Sequence, residues 1–228
     1  MATPFYVAPE RMMKDRAEYA RKGIARGRAL VAVEHGDGVV FVSENPSRSL
    51  NKTSEIYDRI GFAAVGKYNE FEALRVAGIR LADVKGYQYA REDVTGRSLA
   101  NAYATALGSA FTESQKPFEV ELLVAEVTDD DVEVYHILYD GSIADEEGYV
   151  AIGGSAEAVQ SELAERYDDD LDRDGALGVA HAALSDGDGR SLEAANLEVA
   201  GLDRTRGRRK FFRMATDEVA AALEPLTP

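Results

Sequence analysis

The sequence predicts an α+β fold in which two antiparallel sheets pack face to face and helices cover both outer surfaces. Three observations lead there. Strand-like apolar segments come in neighbouring pairs joined by short polar turns, the mark of hairpins rather than crossovers. Helical periodicities also come in pairs. The order of elements is helix, strands, helix pair, strands, helix pair, strands, helix, without the strand and helix alternation of a parallel sheet.

The first helix spans residues 9–25, "PERMMKDRAEYARKGIA", because Pro9 suits a first helical position and Met13, Ala17, Ala20 and Ile24 form one narrow apolar stripe. Glu10 with Lys14, Arg11 with Asp15 and Glu18 with Lys22 stand four apart on its other faces. The preceding "MATPFYVA" has no period and reads as a loose arm, which divides the chain into a flexible arm at 1–8 and one domain at 9–228. "ALVAVEH" (29–35) and "VVFVS" (39–43) flank the turn "GDG" and predict a hairpin of buried strands, after which the chain turns at Asn45 and Pro46. Lys52 follows in a polar turn, ahead of two short apolar runs.

Phe71, Leu74, Gly78 and Leu81 mark a helix near 68–88. Leu99, Tyr103, Ala106 and Ala110 mark another at 97–113, with Thr95 as its cap. Strands at 120–127 and 132–139 flank "TDDD", and "YVAIGG" (149–154) follows a turn at Asp140 and Gly141. Helices at 156–167 and 173–185, weak strands at 196–200 and 208–213 and a closing helix at 216–224 complete the chain.

The 228 residues, 45% hydrophobic, suffice for one domain with a substantial core. With no Cys, disulfides, thiolate metal sites and a catalytic thiol are excluded, and His35, His136 and His181 share no spacing that implies a metal. No apolar run approaches the roughly 20 residues that span a bilayer, and no secretory signal opens the chain, so the expected location is cytoplasmic. The net charge of -15 opposes nucleic acid and anionic lipid at long range, so neither is an expected partner.

Four local patterns could carry chemistry. "DLDRDG" (170–175) copies the first half of a calcium loop, but position twelve is His181 where a bidentate Glu is required, which favours helix capping by Asp172 or Asp174. "GGSAEA" offers Gly153, Gly154 and Ser155 as a phosphate cradle but lacks the P-loop lysine, which favours a tight strand-to-helix turn. "RTRGRRKFFR" (204–213) interleaves basic and aromatic residues as a nucleic-acid surface does, but the net charge favours a strand anchored by Phe211 and Phe212 with cations on solvent or an acidic neighbour. Lys52 by itself reads as an ordinary solvated turn lysine, whose truncation stays within about 0.5 kcal/mol.

A resemblance adds to these readings. Residues 15–87, "DRAEYARKGIARGRALVAVEHGDGVVFVSENPSRSLNKTSEIYDRIGFAAVGKYNEFEALRVAGIRLADVKGY", closely resemble the α-subunit family of bacterial, actinobacterial-type 20S proteasomes. The similarity continues through "REDVTGRSLANAYATALGSAF", "KPFEVELLVAEV", "YDGSIADEEGYVAIGGSAEAV" and "LEVAGLDRTRGRRKFFR" in the same order. It implies the four-layer αββα sandwich of the N-terminal nucleophile hydrolase fold. It also implies heptameric α rings stacked on catalytic β rings, with no cofactor, no metal and no catalytic residue in this chain. The implied partners are the β subunit, other copies of the chain, a hexameric ring ATPase or an ATP-independent activator, and unfolded substrates in transit.

Proteasome β subunits attack with an N-terminal Thr, whereas here a helix precedes the first strand and Arg28 falls near the nucleophile's place. The resemblance assigns Lys52, Gly66 and Lys67 to the pocket that receives an activator's C-terminal tail, and Ala2, Thr3, Pro4, Phe5, Tyr6, Val7 and Ala8 to a gate over the axial pore. The archaeal Tyr-Asp-Arg gate motif is absent, and Asn51 and Thr53 flank Lys52 where close relatives often carry His and Ile. The helices "VTGRSLANAYATALGSAF" and "RVAGIRLADV" are those expected toward the β ring. Two rivals stand beside this: an N-terminal nucleophile hydrolase active on its own after cleavage, and a free-standing binding module.

Overall fold

Strand β1 (Leu30–His35) has alternate side chains in two different interiors. Val31 and Val33 join a cluster built with helices on the outer face, and Leu30 and Ala32 join a cluster shared with a second sheet. A strand apolar on both faces needs cover on both sides. That requirement organises the computed structural model, which describes residues 8–47, 49–187 and 189–224.

Helix α1 (Pro9–Ile24) leads into β1 and β2 (Gly38–Glu44), then β3 (Thr53–Tyr57), β4 (Ile60–Gly66), α2 (Tyr68–Gln88) and α3 (Gly96–Glu113). Strands β5 (Val120–Val127), β6 (Val132–Ile137), β7 (Ile143–Glu146) and β8 (Tyr149–Ile152) precede α4 (Ala156–Arg166) and α5 (Arg173–Gly187). Strands β9 (Leu197–Asp203) and β10 (Phe211–Arg213) and helix α6 (Thr216–Leu223) follow. One sheet has the order β10-β9-β2-β1-β8 and the other β3-β4-β5-β6-β7, with antiparallel neighbours throughout. Helices α2 and α3 cover the second sheet around Phe62, Leu99, Leu107 and Leu122, and α4, α5 and α6 cover the first around Val33, Leu163, Leu177 and Val219. Between the sheets, Leu30, Phe41, Ala63 and Leu123 interdigitate.

The predicted α+β sandwich is therefore present, with differences in detail. The two apolar runs after Lys52 are β3 and β4. Strand β7, "IADE", was not expected, because an edge strand half in solvent carries no apolar alternation. The strand expected at 149–154 stops at Ile152, where Gly153 takes φ +93° and Ser155 φ +59° and the chain reverses into α4. The strand expected over 208–213 is shorter, starting at Phe211, because Arg204, Thr205 and Arg206 turn back on Asp203 and Asp37.

The two ends of the sandwich differ. The turns after β1, β3, β5, β7 and β9 gather at one end, tied by Arg204 N to Asp37 O (2.8 Å), Lys210 N to Asp58 O (2.8 Å) and Glu34 N to Gly148 O (2.7 Å). The other end is open, and α1 lies across it with Ala20 and Ile24 inserted into the inter-sheet core. Arg16 pins the helix there by donating to Phe111 O (2.7 Å) and Ser114 O at the carbonyl end of α3. Thr95 caps α3, its hydroxyl accepting from Ser98 N at 3.2 Å, as its position in the sequence predicts.

Candidate docking site at the open end of the sandwich

Lys52 precedes β3 at the open end, and its carbonyl accepts from Ala64 N at 2.9 Å, which pairs it with the end of strand β4 just before Gly66. Its ammonium donates to Glu44 O (3.1 Å) and Arg28 O (3.3 Å). This overturns the reading of Lys52 as a solvated turn lysine: the side chain is half-buried and lies over the entry to β1. Burial lowers its pKa to about 8, with Glu198 and Glu44 opposing the shift.

The turn itself hangs on Glu198 of β9, a buried carboxylate absent from the sequence-derived site. Its oxygens accept from Lys52 N (3.0 Å), Thr53 N (3.0 Å), Thr53 Oγ1 (2.5 Å), Asn45 Nδ2 (2.6 Å) and Arg213 Nη1 (2.8 Å). Burial pushes this carboxyl up, but the ring of donors outweighs it and holds the group below the ordinary Glu range. Five donors from three segments thus converge on one acidic side chain. No local motif signals this, because the partners lie up to 153 residues apart.

Gly66 and Lys67 form the junction between β4 and α2. Gly66 has φ +102°, and a Cβ there would collide with the Glu119 carbonyl, so the junction needs glycine twice over. Lys67 N donates to that same carbonyl at 2.9 Å. Its ammonium lies 3.7 Å from Glu70 and 4.0 Å from Glu119, in a network completed by Lys116 at 2.5 Å and 2.7 Å from the two carboxylates. The Lys116 ammonium holds Glu119 below the usual carboxylate range, and hydrogen bonding from Tyr19 of α1 acts in the same direction. Glu119 also packs against Gly23 of α1, where any Cβ would meet its carboxylate. The structure therefore brings Lys52, Gly66 and Lys67 to the same open end, beside α1.

Of the gate residues inferred from sequence, Ala2, Thr3, Pro4, Phe5, Tyr6 and Val7 lie outside the described residues. Ala8 is described: its carbonyl accepts from Arg11 N (3.0 Å) and Met12 N (3.1 Å) and starts α1. Arg28 stands two residues before β1, its guanidinium 3.3 Å from Glu44 and its carbonyl held by Lys52. The remaining motifs resolve into structural roles. Asp172 caps α5 through Gly175 N at 2.7 Å. Gly154 packs so tightly on the Gly27 carbonyl that a side chain has no room. Phe212 is buried while Arg209, Lys210 and Arg213 pair with Glu55, Asp129 and Glu198. The three histidines stay apart, with His181 on Leu192 O (2.8 Å), His136 on Glu146 (3.2 Å) and His35 buried beneath the β1–β2 turn.

Two antiparallel sheets stacked between helix layers, with a helix laid across the open end ahead of the first strand, define the four-layer αββα sandwich. Residues 24–202 match the Proteasome family, described as proteasome subunit, and the chain belongs to that family. It is 56% identical over 232 residues to the proteasome subunit alpha of Acidothermus cellulolyticus, covering 99% of both chains. It is 59% identical over 218 residues to that of Streptosporangium roseum (94% of this chain, 84% of the relative). With the proteasome subunit alpha of Kineococcus radiotolerans the identity is 57% over 238 residues, covering 98% of each.

Proposed function

We propose that the chain is the non-catalytic α-ring subunit of a 20S proteasome core. In this reading seven copies close an outer ring on the catalytic β ring, in the cytoplasm, without nucleic-acid or membrane partners. Residues 2–8 screen the axial pore through which unfolded substrates pass, and residues 9–228 form one proteasome-type domain. The C-terminal tails of a hexameric ring ATPase or another activator dock at Lys52, Gly66 and Lys67.

The observation that carries the docking reading is the convergence of these three residues at the open end. A lysine ammonium and a positive-φ glycine junction supply a charged donor and an exposed backbone turn for a short peptide ending in a carboxylate. The non-catalytic reading rests on the start of β1, where Arg28 offers no hydroxyl, its guanidinium is engaged by Glu44, and α1 precedes the strand. Native mass spectrometry with the cognate β subunit tests the assignment: a stable cylinder of both chains is expected, whose peptidase activity disappears when the β nucleophile is removed. Peptide hydrolysis by this chain without any β subunit would refute it.

A further inference from the structure

The lateral edges of the sandwich carry opposite charge where they meet the turn end. Strands β3 and β10 form one edge, since Arg213 Nη2 donates to Thr53 O at 2.8 Å and Arg209 pairs with Glu55. Strands β7 and β8 form the other, on the far side of both sheets. At the first edge lies a cleft of about 560 Å³ with five cationic side chains against three carboxylates. Arg91 and Lys210 are committed there to Asp58 (2.6 Å) and Asp129 (2.8 Å). Arg208 is held more loosely: its side chain is 79% exposed and comes no closer to Asp58 than 3.7 Å. Arg206 is also exposed, and Arg204 lines the cleft, its Nη1 donating to Asp129 O (3.1 Å) while its buried Nε has no hydrogen-bond partner among the described residues.

The opposite edge is the converse. A cleft of about 520 Å³ between β6, β7 and the segment after α4 is lined by seven carboxylates and a single arginine, Arg97. Asp131, Asp145, Glu147 and Asp169 are exposed there, with no Lys or Arg in ion-pair contact among the described residues. Asp131, Glu147 and Asp169 also help burial to raise the pKa of neighbouring Glu34 to about 7, a measure of how crowded with negative charge this edge is.

We propose that these two edges face each other between neighbouring copies of the chain, the Arg204–Arg208 turn of one entering the field of Asp131, Asp145, Glu147 and Asp169 of the next. The inference rests on the ring reading above and specifies which surfaces meet. Complementary patches on opposite sides of one molecule cannot pair two-fold; they generate a head-to-tail contact, the kind that closes a ring. The net charge of -15 makes copies repel at long range, so a cationic edge is needed to orient them on approach. The electrostatic part supplies register and on-rate, and the remaining contact area supplies affinity.

Charge exchange tests it. Full-length chain carrying Arg206→Glu with Arg208→Glu, a second variant carrying Asp145→Lys with Glu147→Lys, and the fourfold combination are assembled with the cognate β subunit. Circular dichroism and thermal melting establish that each is folded. Either double variant should raise the concentration for half-assembly on the order of tenfold, as several like-charge contacts repeat around the ring, and the fourfold variant should recover most of the loss. The gap between wild type and either double variant should narrow with added salt. Folded double variants that assemble like wild type, or a fourfold variant no better than either, would overturn the edge pairing while leaving the ring reading intact. Wild-type chain that forms no ring with the β subunit would overturn both. Salt-sensitive RNA binding abolished by Arg206→Glu with Arg208→Glu, with assembly unchanged, would reassign the basic edge to a polyanion.

Discussion

The open end and the turn end of the sandwich use charge in opposite ways. At the open end, Glu198 is buried and Lys52 half-buried, and both are fixed by hydrogen bonds to backbone and side chains from several segments. At the turn end, Arg208, Arg209, Asp145 and Glu147 stand in solvent, whether closely paired, as Arg209 is with Glu55, or without a close ion pair among the described residues. A fixed buried charge sets a geometry for a partner to read, while an exposed charge sets a field that orients an approaching body. The same residue types therefore have large structural consequences at one end and small ones at the other.

Removing Glu198 should have the largest effect. Glu198→Leu leaves the amides of Lys52 and Thr53, the Asn45 amide and the Arg213 guanidinium without their acceptor, and breaking a buried charged cluster from one side costs about 3–5 kcal/mol. Urea unfolding of the isolated chain measures this. A loss under about 1 kcal/mol would show that water replaces the carboxylate and that the open end is no more rigid than the turn end.

Lys52→Ala should come next, and mainly in function. Truncation removes the bonds that the ammonium donates to Arg28 O and Glu44 O, which costs about 1 kcal/mol, more than expected of a solvated lysine. Tail docking should suffer more: a charge-assisted hydrogen bond to a carboxylate is worth about 1.5–3 kcal/mol, so a single tail weakens by roughly tenfold or more, and linked tails multiply the loss. Activator-dependent protein degradation should fall sharply while basal cleavage of short peptides by the same particle is retained. Unchanged activator-dependent degradation in a fully assembled particle would remove Lys52 from the docking site.

The same lysine predicts a pH dependence whose sign separates docking from folding. Its folded pKa of about 8 lies below the unfolded value of 10.5, so between these limits the unfolded chain binds the proton that the folded chain has released. Folding stability from this group therefore rises with pH across that window. Docking runs the other way, because the carboxylate needs the ammonium. Tail affinity should weaken roughly fivefold to tenfold between about pH 7.5 and about pH 9. In Lys52→Arg, whose guanidinium stays charged, that slope should vanish. A wild-type affinity flat over this range would mean that no ionised lysine contacts the tail.

The comparison also explains which parts of the molecule were legible in the sequence. The strands of the inter-sheet core announced themselves as apolar runs because β1, β2, β4 and β5 are covered on both faces. Edge strand β7 did not, since half of it lies in water. Lys52, Gly66 and Lys67 were placed at a site by family resemblance, since a lysine in a polar turn and a glycine before a helix carry no local signal. Glu198 escaped because its meaning lies in donors that are distant along the chain, and a Glu within "NLEVAG" reads as the polar position of an ordinary strand. The Arg204–Arg213 run was conspicuous in the sequence, but its division into paired and outward-facing cations needed the positions of Glu55, Asp58 and Asp129.

The smallest expected effect is at the turn end. Arg209 makes a bidentate contact with Glu55, at 2.6 Å from one guanidinium nitrogen and 2.8 Å from another, a geometry that looks stronger than anything Lys52 makes. Yet its side chain is 71% exposed, so water and salt screen the attraction and the ordering of a long side chain offsets much of what is left. Arg209→Ala should therefore leave the urea midpoint of the isolated chain indistinguishable from wild type at physiological salt, despite removing three short hydrogen bonds. Comparison with Glu198→Leu in the same titration sharpens the contrast, because both changes remove charge-assisted bonds and differ chiefly in burial. A midpoint shift for Arg209→Ala as large as that for Glu198→Leu would show that contact geometry, and not withdrawal from water, decides what a charge contributes in this molecule.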